Sequence, residues 1–275
     1  MRWRHLLSCT SSILIGCLLT APAFSHDDEG KVVVETTDQF KKLEPAAEEK
    51  LAKTAFFSQL QPFALSARQA TADDIKSAIS LPNLGRGDPK IQYDVILQPG
   101  HYGRTSGKTG GEGKQVSEQQ LVAFIVAHTA SYLLTQKMNV LVVSADDFDR
   151  SGLTTQIFLA VHADASDKPC KTGPSLGYAK DSNLLGMHTI GFALAASMGQ
   201  SYGDFMKDNF TTNEHEYYAF RYMKAAGYSG LLEVGELTCP TVENALIRNA
   251  LLIAQNLGVA LKSSVDIVKE PLTPR

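Results

Sequence analysis

The chain has 275 residues, of which 44% are hydrophobic and 20% charged, with a formal net charge of −3. Apolar content at this level excludes a wholly disordered chain. The slightly acidic balance and the scatter of the basic residues exclude nucleic acid as a partner.

Arg2 and Arg4 precede an apolar stretch from Leu6 to Leu19, and Ala21-Pro22-Ala23-Phe24-Ser25 offers small residues where a signal peptidase reads. This pattern predicts a signal peptide over 1–25, with cleavage before His26, and therefore a periplasmic or secreted protein. The stretch is short for a membrane span. Leu14-Ile15-Gly16-Cys17 offers an alternative, a lipoprotein anchored through Cys17. Leu18 and Leu19 count against it, because they carry the apolar run past the cysteine. No other segment reads as a transmembrane span. Loss of 1–25 removes Cys9 and Cys17 and leaves Cys170 and Cys239, which read as a disulfide in an oxidising compartment or as two free thiols.

Residues 26–90 form an N-terminal extension, partly helical and expected to pack on the main domain. Lys31 to Glu35 reads as a short strand and Gln39 to Gln59 as a charged helix. Thr71 is placed as a helix cap, with Asp73 and Asp74 in the first turn. Leu81 to Lys90 reads as a turn or linker. From residue 91, strands and helices alternate. A strand at 93–98 leads into a Gly-rich loop, Gly100 to Gly113, and a helix at about 117–137. A short strand at 140–143 and another at 156–162 follow. Helices are predicted at about 182–199 and 214–226, then a strand at 230–234 and a closing helix from Val242 to Leu261. The pattern predicts one α/β domain over 91–265, with a mostly parallel twisted sheet covered by helices on both faces and a C-terminal tail at 266–275. Ligands of such sheets lie beyond the carboxyl ends of the strands.

Four residues fall at such places. His101 follows the first strand between Gly100 and Tyr102-Gly103, and His162 closes the strand 156–162. Glu118 opens the long helix, and Glu233 lies near the end of Gly230-Leu231-Leu232-Glu233-Val234. Two imidazoles and a carboxylate (His101, Glu118, His162) make a catalytic zinc site with a position left for water. A second carboxylate, Glu233, supplies the base that such a water needs. Glu112, in the Gly-rich loop, rivals Glu118 as the ligand; the helix would hold Glu118 more rigidly. Asp164 either orients a ligand or caps the following turn. Glu236 is placed on the solvent side. His128 and His188 read as structural or exposed, and His215 as a surface residue with a second reading as a substrate contact.

The four elements resemble those of the zinc-dependent N-acetylmuramoyl-L-alanine amidases of the amidase type 3 family. That family shows Asp-Pro-Gly-His-Gly-Gly, a Glu opening a helix, a His-Ala-Asp strand end and Val-Glu-x-Gly-Phe-Leu-Ser-Asn. The counterparts are Gln98 to Gly103, Glu118 to Leu121, Val161 to Ala165 and Leu232 to Thr238, in the same order over about 92–262. The resemblance implies Zn2+ on His101, Glu118 and His162, and Glu233 as catalytic acid/base. It also implies peptidoglycan as substrate, cut between N-acetylmuramic acid and L-alanine. Gln98 stands where the family has Asp, Tyr102 where it has Gly, and Glu236 and Thr238 where it has Phe and Ser. The alternatives are a zinc peptidase or amidase for another exported substrate, and a non-catalytic wall-binding or regulatory protein with a degenerate site. No activating protein partner is indicated.

Overall fold

The strands of the sheet are β1 (Gln92–Pro99), β2 (Val140–Val142), β3 (Leu153–Asp164), β4 (Ser175–Tyr178) and β5 (Met223–Glu236). A computed structural model of the chain describes residues 56–61, 69–77 and 79–269. The signal peptide, its lipoprotein alternative, the strand at 31–35 and most of the helix at 39–59 lie outside those residues.

The strand order is β2-β1-β3-β5-β4. The first four strands in that row are mutually parallel, and β4 runs antiparallel to β5 at the edge. Parallel strands joined by crossovers are buried on both faces and need near-continuous apolar runs. Val95-Ile96-Leu97, Val140-Leu141-Val142 and Ile157-Phe158-Leu159-Ala160-Val161 meet that need, and each of these residues is buried.

The two faces are covered unequally. One presents Val95, Leu97, Val140, Val142, Ile157, Leu159, Val161 and Leu232 to the larger core. That core is closed by three long helices: α3 (Glu118–Thr135), α4 (Leu184–Met198) and α6 (Pro240–Lys269). The other presents Ile96, Leu141, Phe158, Ala160 and Leu231 to a smaller cluster. There the cover is Phe148 and the aromatic run Tyr217, Tyr218, Phe220 and Tyr222, most of it in a 3-10 turn at Tyr218–Tyr222.

Local signals set the helix ends. Ser117 caps α3 in a capping box with Gln120, each side chain accepting from the other's backbone N–H. Asn183 caps α4, which ends at Gly199 in the left-handed conformation (φ 64°). Thr71 caps the short α2 (Ala72–Lys76) through a second capping box with Asp74. The described parts of the extension pack on the main domain: α2 lies against α3, the Ala70 N–H donates to the Arg248 carbonyl of α6, and Asn83 to Gly85 pair with Val142 of β2. Phe56, which opens α1 (Phe56–Gln59), is buried in the larger core. The Gln61 backbone and the Asn256 side-chain amide exchange two hydrogen bonds of 2.9 Å.

The predicted helix at 214–226 does not form as such. Only α5 (Thr212–His215) and the 3-10 turn are helical there, and β5 begins at Met223, earlier than the predicted strand. The reason is tertiary. The aromatic residues are drawn flat onto the second face of the sheet, and Met223 to Ala225 pair with Leu153 to Thr155 of β3. β4 was not foreseen either, being only four residues long after Pro174. The closing helix runs past Leu261 to Lys269, into the stretch read as a tail. It is long and apolar enough to cross a membrane, yet Leu246, Ala250, Ile253, Leu257 and Leu261 are buried inside the protein.

Candidate metal centre

The four residues singled out from the sequence meet at the carboxyl ends of β1, β3 and β5, with His162 and Glu233 inside the last residues of β3 and β5. His101 follows β1 with a backbone φ of 57°, a left-handed conformation uncommon outside glycine. The turn brings its ring to within 5.0 Å of the His162 ring, centroid to centroid. Gly100 is required beneath it, because a Cβ there would lie 2.5 Å from His162 Nδ1. His162 and Glu233 are register partners on neighbouring strands, so they leave the sheet on the same side.

Glu118, the first residue of α3, ties the group together. Its Oε1 lies 2.9 Å from His162 Nδ1 and 3.6 Å from His101 Nε2, and accepts from the Ala163 N–H at 3.2 Å. Its Oε2 accepts from the Gly111 N–H at 2.8 Å. One donor atom from each of His101, Glu118 and His162 lies within 4.8 Å of the others. Nitrogen and carboxylate donors in this number suit a divalent ion such as zinc, with room for a further ligand. Glu112 is outside the group: it is exposed and bridges to Ser117 through its backbone.

Each imidazole is held by its other nitrogen. His101 Nδ1 donates to the Lys108 carbonyl at 2.7 Å. Arg104, fixed by two hydrogen bonds to Asp146 (2.7 and 2.9 Å), sits beside it with Nη1 3.3 Å from that nitrogen. His162 Nε2 lies 3.1 Å from the Tyr217 hydroxyl. That hydroxyl donates to Gln98 Oε1 at 2.8 Å, and Gln98 Nε2 donates to the Ser144 carbonyl at 3.0 Å.

Charge is distributed unevenly. Burial, helped by His162 and Arg104 and opposed by Glu118, lowers the pKa of His101 and favours the neutral ring. Burial alone would raise Glu118, but the hydrogen bond and charge of His162, His101 and the Gly111 N–H outweigh it and hold the carboxyl below its usual range. Glu233 goes the other way. Burial first, then repulsion from Glu118, Asp164 and Glu214, pushes it well above the ordinary carboxylate value. Its Oε2 is buried and has no hydrogen-bond partner among the described residues. Two adjoining cavities of about 390 and 460 Å³ open onto the group and share His101, Lys108, His162, Asp164 and Glu233. One is walled by the Gly-rich loop 107–111, the other by residues 211–218.

The other candidates fall as follows. Asp164 Oδ1 accepts from the N–H of its neighbour Ala165 at 2.8 Å, and the residue lines both cavities. His128 is exposed on α3, His188 is buried in α4, and His215 is exposed at the end of α5, outside both cavities. Glu236 is not on the solvent side. It is fully buried and accepts from the backbone N–H groups of Cys170, Lys171 and Thr172 and from the Thr238 hydroxyl. Burial raises its pKa, but these four donors outweigh it and hold the carboxyl below its usual range. Cys170 and Cys239 are joined in a disulfide, with Cα atoms 4.7 Å apart. Tyr217 and Gln98, which stand behind His162 Nε2, are not individual candidates in the sequence. A Gln inside the apolar run Val95-Ile96-Leu97-Gln98 was the available signal, since a buried amide needs partners.

No protein-family model and no curated protein matches the sequence. Solved structures do. An N-acetylmuramoyl-L-alanine amidase of Nostoc punctiforme is 18% identical with a TM-score of 0.47, and the match covers 66% of this chain and 99% of that one. The enzyme of the same name from Clostridium difficile 630 is 18% identical with a TM-score of 0.48, over 64% and 97% of the two chains. The catalytic domain of the Bacillus (Paenibacillus) polymyxa enzyme is 18% identical with a TM-score of 0.46, over 64% and 99%. All three are N-acetylmuramoyl-L-alanine amidases, and that is what this chain is similar to.

Proposed function

We propose that the protein is an exported zinc-dependent hydrolase that cuts the amide bond between the lactyl group of N-acetylmuramic acid and L-alanine in peptidoglycan. The observation that carries the metal-hydrolase reading is the convergence of His101, Glu118 and His162 within 4.8 Å, with the orphaned carboxylate oxygen of Glu233 on the same cavities. The choice of substrate rests on the four sequence elements and their order. Export is supported by the signal-like N-terminus and by the Cys170–Cys239 disulfide.

His101 Nε2, Glu118 Oε1 and His162 Nδ1 would hold the zinc ion. Bound there, zinc supplies Lewis-acid polarisation of the amide carbonyl and a lowered pKa for water. Glu233 takes the proton from the attacking water and returns it to the leaving amine of L-alanine. Its raised pKa suits both halves of that exchange, since a base poised nearer neutrality also serves as the acid. The two cavities accommodate the chain on either side of the bond, the glycine loop bounding one and Tyr217 and Tyr218 the other.

The test is Glu233→Gln, assayed on purified sacculi with zinc content measured in parallel. The variant should keep its zinc and lose about 10²- to 10⁴-fold in rate. Mass spectrometry of the wild-type products should show free N-acetylmuramic acid ends. Digestion by the variant at the wild-type rate would remove Glu233 from the mechanism, and products cut elsewhere would remove the substrate assignment.

A further inference from the structure

We propose that Lys108 is a specificity residue, which takes the free α-carboxylate of the stem-peptide residue that follows L-alanine. The proposal rests on the amidase reading above and deepens it, by naming what the enzyme recognises beside the bond it cuts.

Lys108 stands in the Gly-rich loop, and its place there is set by backbone contacts. Its carbonyl lies 2.7 Å from His101 Nδ1 and accepts from Arg104 Nη1 at 3.3 Å. On either side of it, the Gln119 amide of α3 donates to the carbonyls of Arg104 and Thr109 at 3.1 and 2.8 Å. Gly107 (φ 74°) and Gly110 (φ 99°) let the chain double back over so short a span. A loop pinned in this way holds the Lys108 main chain at one point on the rim, while the side chain stays exposed.

Lys108 lines both cavities, as His101, His162 and Glu233 do. It therefore stands where the two halves of a bound substrate meet, next to the bond to be cut. Arg104, the other cation lining these cavities, is committed to Asp146, which lines neither. Lys108 makes no ion pair among the described residues, although Glu118, Asp164, Glu214 and Glu233 each line one cavity or both. Its ammonium is thus free for an anion that the ligand brings. A carboxylate entering beside those acids meets repulsion, which a cation at that point offsets. The proposed substrate carries such a group. Its stem continues from L-alanine into a glutamate residue joined onward through the side-chain carboxyl, so the α-carboxylate is free one residue from the cut. Lysine suits the task as a compact charge on a flexible stem, which needs no fixed angle of approach.

Two muropeptides identical except at that residue test this, one with the free α-carboxylate and one with its amide. Zinc-loaded wild type should cut the carboxylate form with a KM about 3- to 10-fold lower and a similar kcat, and added salt should narrow the difference. Lys108→Met removes the charge and keeps an unbranched side chain. It should raise the KM of the carboxylate form to that of the amide, and leave the amide form and the zinc content unchanged. Lys108→Arg should restore the preference. A wild type that does not distinguish the two forms overturns the proposal, and so does a Lys108→Met variant that still does. A variant that slows on both forms alike also overturns it, and marks a disturbed loop instead. If the wild type cut neither form, the amidase reading would fall and this one with it.

Discussion

Asp208 shows how a single buried acid sets a pH dependence outside the catalytic group. One of its carboxylate oxygens is buried without a hydrogen-bond partner among the described residues. Burial, with a smaller push from Glu214 and against the Tyr178 hydrogen bond, raises its pKa to about 7. An unfolded Asp titrates near 3.9, so between about pH 4 and 7 the native state binds the extra proton. The stability contributed by this group is therefore complete below about pH 4 and is lost as pH rises through about 7. Asp208→Asn stays neutral throughout. The melting temperature of the variant minus that of the wild type should thus increase from about pH 5 to about pH 8. A difference flat in pH would contradict the assignment. Residues of this kind are poorly legible in sequence. His101 and His162 could be read because they stand at strand ends, where apolar runs stop. Glu236 could not, because its partners are the backbone amides of Cys170 to Thr172, some 65 positions away in sequence.

Among elements, the segment after β3 is held by two different means. Glu236 gathers three successive N–H groups of that segment, and the Cys170–Cys239 disulfide joins it to the turn before α6. The disulfide spans 69 positions, for which the chain-entropy account gives a stabilisation of about 4 kcal/mol. The double variant Cys170→Ser, Cys239→Ser should lose stability of that order in urea unfolding. A loss below about 1 kcal/mol would mean that the Glu236 contacts alone hold the segment. Element reading from sequence succeeded where one physical signal dominated: the capped helix after Ser117, the apolar runs of β1 and β3. It failed over 214–226, where Tyr217 to Tyr222 carry a weak helical pattern and the sheet's second face needs aromatic cover. The face won, and the strand began early.

At the scale of the molecule, the proposed ligands His101, Glu118 and His162 stand on a scaffold built without reference to an ion. The sheet order and the three-helix core are made from apolar packing and backbone hydrogen bonds, and both capping boxes from side chains on backbone N–H groups. Removal of metal by a chelator should therefore abolish hydrolysis while leaving the far-ultraviolet circular dichroism unchanged. Added zinc should raise the melting temperature in step with its concentration, by about 2.7 kcal/mol of stability at 100 times Kd. Cooperative unfolding on chelation would contradict this and make the ion part of the fold. The α/β class was legible because parallel crossovers dictate it, and the same crossovers bring His101, His162 and Glu233 to one end of the sheet. The cover of the second face was not, since nothing local announces it. Glu118 stands apart from the other proposed ligands. Its carboxylate also receives the Gly111 N–H and the Ala163 N–H, so it moors the glycine loop and the end of β3 to α3. A variant at this position unlaces the loop as it discards the ligand, and its lost activity reports both injuries at once. Drift at residue 118 is penalised twice over, and the ion's own share can be weighed only by taking the ion away.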